Sequence, residues 1–260
     1  MGVINVTPDS FSDGGQFQTV SSALRHAQSI APYCDILDIG GESTRPGAQP
    51  VAPAEELDRV LPVIRALREH GITLPISIDT TKAQVAEMAL KAGANIINDV
   101  SAGRFEPDIF RVARDYGASI VLMHMQGQPR TMQINPQYKD VVQEVKQFLQ
   151  SAIEIAMACG VNKEAIAIDP GIGFGKTLEH NLLLLRHLSQ LTSLGCPLLV
   201  GVSRKSFIGT LCDQPDPQQR VWGTTAACAV AIMHGAHILR VHDARAIYDV
   251  CKVVDAIQQV

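Results

Sequence analysis

Short apolar runs that stop on a polar residue recur along the chain, each followed by a turn and then by a stretch of helical period. Residues 2–6, 35–39, 75–78, 95–97, 119–123, 165–168, 198–202 and 238–241 are rich in branched or small apolar side chains. Such runs suit strands buried on both faces. Their carboxyl ends deliver Asn5, Asp38, Asp79, Asn98 with Asp99, His124, Asp169, Lys205 and His242. Helical periodicity fills the intervals, over residues 21–30, 53–70, 81–93, 107–116, 138–159, 179–194, 219–234 and 244–257. Glu55 and Glu56 sit in the first turn of the second helix, where negative charge suits the dipole. Thr81 and Gln84 have the spacing of a capping box. Strands alternating with helices imply parallel pairing through right-handed crossovers. Eight such units in 260 residues predict an α/β fold, a (β/α)8 TIM barrel forming a single domain over 1–260, with an open doubly wound sheet as the alternative. In the barrel all strand ends open on one face, so the eight polar groups converge.

Composition narrows the function classes. Hydrophobic residues make up 46% and charged ones 18%, enough for a large core and unlike a disordered chain. A net charge of −4 without a basic stripe argues against nucleic acid as partner. The six cysteines lie at least 16 residues apart, which excludes a Cys-x-x-Cys metal knuckle and a dense disulfide framework, and they read as reduced thiols. No signal peptide or long apolar run is present, so a soluble cytoplasmic protein is expected. Met1 abuts the first strand, which leaves open whether native residues precede it.

The stretch Asp169-Pro-Gly-Ile-Gly-Phe-Gly-Lys-Thr177 imitates a phosphate loop but fails its spacing: Pro170 stands where the first glycine belongs. It reads instead as a turn that brings backbone close to a flat ligand, with Phe174 free to pack on it. Asp79, Asn98 and Asp169 form a set that a heterocycle rich in N–H donors and ring acceptors would match. Taken singly, each could be an ordinary polar strand end. Lys205 is open to two readings, a Schiff-base nucleophile or a charged hydrogen-bond donor. Arg240 and His242 suit a phosphate-type anion, although Arg240 could equally be neutralised by Asp38 or a neighbouring acid. His124, within Leu-Met-His-Met, reads as a pocket wall because no metal-ligand spacing accompanies it.

Eight segments together resemble the bacterial dihydropteroate synthases: the loops beginning Gly2-Val-Ile-Asn-Val-Thr-Pro-Asp-Ser-Phe and Asp38-Ile-Gly-Gly-Glu-Ser-Thr-Arg-Pro-Gly, then Ser77-Ile-Asp-Thr, Ile97-Asn-Asp, Met123-His-Met-Gln-Gly, the glycine turn at 169–176, Ser203-Arg-Lys-Ser and Arg240-Val-His. The resemblance implies condensation of (7,8-dihydropterin-6-yl)methyl diphosphate with 4-aminobenzoate to 7,8-dihydropteroate and pyrophosphate, in folate biosynthesis, by a Mg²⁺-assisted displacement similar to SN1. It further implies that Asp79, Asn98, Asp169, Phe174 and Lys205 hold the pterin. Arg240, Val241 and His242 would border the ring and diphosphate, and Asn5 would ligate Mg²⁺. Thr44, Arg45, Pro46, Lys205 and Ser206 would border the aminobenzoate, the part of the site that sulfonamides mimic in this family. Lys205, Arg240, Asp79 and Asp169 carry the expected catalytic roles. Ile172 departs from the family, where Phe is common. The rivals are a corrinoid-type pterin methyltransferase, a non-catalytic pterin-binding module and a Lys205 aldolase. Apolar helices near 182–188 and 226–233 suggest a homodimer.

Overall fold

The computed structural model describes residues 1–6, 16–43 and 47–260. The strands are β1 (Gly2–Asn5), β2 (Leu37–Gly40), β3 (Ile76–Asp79), β4 (Ile96–Asp99), β5 (Ser119–Met123), β6 (Ile166–Asp169), β7 (Leu199–Val200) and β8 (Ile238–Leu239). All pair in parallel, β1 to β6 in chain order and β7 with β8. Two single bridges close the ring, Ile168 with Leu198 and Gly2 with Val241. At the second seam Val3 N–H donates to Val241 O and Val241 N–H to Met1 O, both at 3.0 Å. An open sheet would leave β1 with a free edge; these bonds give the closed (β/α)8 barrel.

Strand alternation explains both the core and the site. One set of positions, including Ile4, Leu37, Ile39, Ile76, Ile78, Ile97, Ile120, Leu122, Ile166, Ile168 and Val200, belongs to the large cluster shared with the helices. The intervening positions face the barrel axis. At its base Met1, Ile36, Ile96, Val121, Ala167, Leu199 and Ile238 make a separate apolar plug. Two residues further along each strand, the same inward face presents Val3, Asp38, Asn98, Met123, Asp169, Gly201 and Arg240. The floor is apolar and the layer above it carries charge.

The helices are α1 (Gln16–Ile30), α2 (Pro53–Glu69), α3 (Ala83–Lys91), α4 (Asp108–Tyr116), α5 (Val141–Ala158), α6 (Leu178–Arg186), α7 (Ser189–Thr192), α8 (Ser206–Leu211), α9 (Val221–Met233) and α10 (Ala244–Gln258). Several expectations need correcting. The helix expected over 179–194 is two, α6 and α7; Leu188 and Leu191 stay buried across the break, so the apolar period runs on through it. The six-residue α8 is too short to leave a periodic signal. No capping box forms at Thr81; Lys82 is the N-cap without a side-chain bond, and Glu106 reaches across to accept from Ala83 N–H at 2.7 Å. A true capping box stands at Thr177 and His180. Glu56 stands with Glu55 in the first turn of α2, as expected, and it is fully buried and takes Lys82 Nζ at 2.5 Å, the same ammonium that binds Glu42.

Candidate active site

Arg240 is the centre of the charged layer. Its Nε donates to Asp38 Oδ2 at 2.7 Å, and Nη2 reaches Asp38 Oδ2 at 2.6 Å and Asp79 Oδ2 at 2.7 Å. One guanidinium therefore serves two acids, from β2 and β3. Burial works against its charge, but Asp38 and Asp79 outweigh it and hold Arg240 above its ordinary range. Asp79 responds the other way: burial pushes its carboxyl up to about 7, with Arg240 opposing and Asp38 adding to the rise. The geometry accounts for both ends of the pair. Asp38 takes two of the three contacts, so Asp79 is the acid left short of positive charge. Asp38 Oδ1 is buried without a partner among the described residues.

Asp169, at the end of β6, is raised by burial and held down chiefly by Lys205, then by the Gly171 N–H, which donates to its Oδ1 at 2.7 Å. Burial lowers Lys205 to about 8 against the pull of Asp169. The Lys205 Nζ donates to Ile172 O and stands 4.7 Å from the centre of the half-buried Phe174 ring, so a cation, an acid and an aromatic wall adjoin at one rim. A Cβ built at Gly201 would lie 3.9 Å from Arg240 Cβ and 4.0 Å from Lys205 Nζ, which places both cations over the same strand end. Asn98 is buried and in register with Asp79, so the two side chains share the inward face. Val100, Met123, Met125 and Met132 pack beside Phe174 as an apolar wall.

The glycine turn is fixed by close approach. Gly171 has φ +67°, and a Cβ there would fall 1.8 Å from His124 O; only glycine fits. His124 lies behind this turn, edge-on to Phe148 at 4.9 Å, and burial, then the nearby Lys176 and Arg104, lower it to about 2. Arg204 is structural: at φ +60° it binds Asp243 at 2.6 Å while its carbonyl accepts from Arg220 at 2.9 Å, and this tied turn presents Lys205 at the start of α8. His242 hydrogen-bonds Ser203 Oγ through Nδ1 at 3.0 Å. Val241 spends its main chain on the barrel seam and its side chain in the core, so it offers no polar group to the mouth. Ser206 is exposed at the rim. The expected aminobenzoate residues Thr44, Arg45 and Pro46, and the loop at 7–15, lie outside the described residues.

Asp38 was legible as a strand end but given no site role. A lone inward cation on β8 needs acids from elsewhere around the barrel mouth, and Asp38 on β2 and Asp79 on β3 are those. Lys176 and its partners gave no signal, because the contact joins residues 52 positions apart.

Residues 1–242 match the family model described as pterin binding enzyme. The chain belongs to the pterin-binding enzymes, in their dihydropteroate synthase branch. It is 53% identical over 258 residues to the dihydropteroate synthase of a Synechocystis strain, covering 99% of this chain and 89% of that protein. Among solved structures it is similar to the Yersinia pestis dihydropteroate synthase in complex with a sulfonamide drug, with TM-score 0.94, 46% identity and coverage of 100% and 94% of the two chains. The Xanthomonas albilineans enzyme with 4-aminobenzoic acid matches at TM-score 0.94 and 48% identity, covering 100% and 93%. Dihydropteroate synthases are transferases, and the chain is one of them. No helix among the described residues is long and apolar enough to cross a membrane.

Proposed function

We propose that the chain joins (7,8-dihydropterin-6-yl)methyl diphosphate to 4-aminobenzoate, releasing pyrophosphate and giving 7,8-dihydropteroate. The observation that carries the reading is the convergence of Asp79, Asn98 and Asp169 with Arg240 and Lys205 at one mouth. Acids and an amide are complementary to a ring bearing N–H donors, and cations to a departing diphosphate. In this reading the bond from the pterin methylene carbon to the diphosphate oxygen breaks first, its electron pair leaving with pyrophosphate. Asp79 and Asp169 stabilise the positive charge that develops on the carbon, and Arg240 and His242 the negative charge on the leaving group. The lone pair of the aromatic amine then forms the new C–N bond and a proton is lost from nitrogen. Phe174 and Lys205 border the ring, and Thr44, Arg45, Pro46 and Ser206 the aminobenzoate. No enzyme-bound intermediate is required of Lys205.

The residues present fit a Mg²⁺ ion at Asn5. Asn5 Oδ1 and Asp79 Oδ2 lie 3.9 Å and 3.7 Å from where a Cβ on Gly40 would stand, so an amide oxygen and an acid adjoin at the end of β2. Among the described residues no group of three or more His, Cys, Asp or Glu could hold a metal alone. That suits a cation that keeps waters and takes substrate phosphates, and when bound it supplies charge neutralisation on the diphosphate. The test is pyrophosphate release by purified protein with Mg²⁺ and both substrates. Release that does not depend on aminobenzoate refutes the condensation, and activity unchanged by a chelator refutes the metal.

A cytoplasmic homodimer completes the proposal. The apolar α9 exposes Trp222, Val230 and Met233, and α10 exposes Val253 and Ile257, large apolar side chains of the kind that a subunit contact covers. Light scattering that finds only a 28.0 kDa particle at micromolar concentration refutes the dimer.

A further inference from the structure

Strands β7 and β8 pair directly over two residues each, Leu199 with Ile238 and Val200 with Leu239. One further bond, from Arg240 N–H to Val200 O at 3.0 Å, extends this ladder. The basic groups on this side of the mouth, Lys205 and His242, come after it, so the ladder alone does not set their mutual placement. Ser203 stands in the gap. It is buried in the turn between β7 and α8, where Lys205 N–H donates to Val202 O at 3.3 Å. Its Oγ accepts from the main-chain N–H of His242 at 3.1 Å and meets Nδ1 of the same residue's ring at 3.0 Å. Arg204 and Asp243 already tie these two segments through two side-chain bonds. What Ser203 adds is a hold on the imidazole.

A serine hydroxyl has one proton to donate and two lone pairs. The His242 main-chain N–H takes one lone pair. Among the described residues Ser203 Oγ has no partner outside His242, so its proton has one acceptor, Nδ1. An Nδ1 that accepts carries no proton, and the neutral ring then holds its proton on Nε2. The reverse arrangement, Nδ1–H donating to Oγ, would bury the serine proton without an acceptor, which is costly. We propose that Ser203 is a positioning residue for the leaving group: it fixes the His242 ring in one orientation with the proton on Nε2, so that this nitrogen is a hydrogen-bond donor to an oxygen of the departing diphosphate. The proposal rests on the reading of the reaction given above.

Two measurements test it. Nitrogen NMR of isotope-labelled histidines at pH 8.5, about two units above the ordinary histidine pKa, reads the tautomer, and His242→Gln assigns the signal. Wild-type protein should show Nε2–H at His242, and Ser203→Ala a mixture of both tautomers. Nδ1–H at His242 in the wild type overturns the proposal, with no serine variant needed. Calorimetric titration with Mg²⁺ present then compares 6-hydroxymethyl-7,8-dihydropterin diphosphate with the alcohol that lacks the diphosphate. Ser203→Ala should weaken the diphosphate by about three- to tenfold, the worth of one hydrogen bond, and the alcohol by less than about twofold. Ser203→Thr, which keeps the hydroxyl, restores the wild-type values. In a His242→Gln background, adding Ser203→Ala costs no more than about twofold further, because the two act through one ring. No loss in Ser203→Ala, an equal loss for the two ligands, or full additivity with His242→Gln overturns the proposal. Wild-type protein that binds neither ligand refutes the pterin reading itself, and the proposal falls with it.

Discussion

Asp79→Asn probes the electrostatics of the barrel mouth most directly. Burial pushes this carboxyl up to about 7, against an ordinary aspartate value near about 3.9. Between about pH 4 and pH 7 the folded protein therefore holds a proton that the unfolded chain has released. Stability then falls as pH rises through that window, by about 1.4 kcal/mol per unit, and levels off above about 7. Three units correspond to about 4 kcal/mol as an upper figure. Asparagine keeps an oxygen for Arg240 Nη2 and has no proton to lose, so it escapes the decline. Urea unfolding of both proteins, taken at half-unit steps from pH 4 to 8, should give nearly equal stability at pH 4 and an advantage for the variant that grows to about 4 kcal/mol by pH 8. Asp169, Asp99 and Glu56 are also raised by burial, but they tilt both curves alike, so the difference reads Asp79. A difference that stays flat with pH refutes the reasoning: Arg240 would then neutralise Asp79 in full. The stabilised variant should lose pterin binding, as expected where an active site stores unfavourable charge.

Arg240→Gln leaves Asp38 and Asp79 buried without their shared cation, and a loss of about 3–5 kcal/mol in thermal or urea unfolding is expected at pH 7, smaller at pH 5, where Asp79 holds its proton. Gly171→Ala forces a Cβ to within 1.8 Å of His124 O, so the turn must rebuild; the variant should lose pterin affinity in calorimetry, and wild-type affinity would show that the turn does not form the ring wall. Lys205→Ala should abolish pterin binding. Borohydride treatment of the wild type with substrate should leave Lys205 unmodified by mass spectrometry, and an adduct would restore the Schiff-base reading in spite of the Ile172 carbonyl that engages its Nζ.

What the sequence revealed, and what it hid, follows from the range of the interactions. Strand ends were legible because burial on both faces imposes a local apolar pattern that a single Asp79 or Asp169 interrupts. The barrel count follows from the same pattern repeated. The start of α3 near Thr81 leaves no local trace because Glu106 caps it from 23 residues away, and the break at His187 is hidden because the apolar period continues through it. Glu56 is legible as an acid of a first turn, but nothing local announces that it is buried against Lys82. Charge partners at sequence separations of 161 and 202, as between Arg240 and its two acids, leave no local trace. Their existence follows only from the physical demand that a buried charge be compensated.

In the proposed reading, the division of labour between the two acids on Arg240 gives Asp38 a function that binding contacts alone would miss. A pterin ring needs carboxylate oxygens whose lone pairs are not already taken, and a fully neutralised acid is a weak acceptor for a neutral N–H donor. By taking two of Arg240's three contacts, Asp38 holds the guanidinium on the β2 side and leaves Asp79 with one contact and unspent capacity. The cost appears as the raised Asp79 carboxyl and the orphaned Asp38 Oδ1, and it is borne by the apolar plug below and the helix layer outside. Asp38→Asn would thus weaken pterin binding without touching the ligand, by letting Arg240 turn wholly to Asp79. Asp38 and Asp79 stand on neighbouring parallel strands with inward side chains one step apart, so the offset that makes one a clamp and the other an acceptor is set by barrel register rather than by any loop.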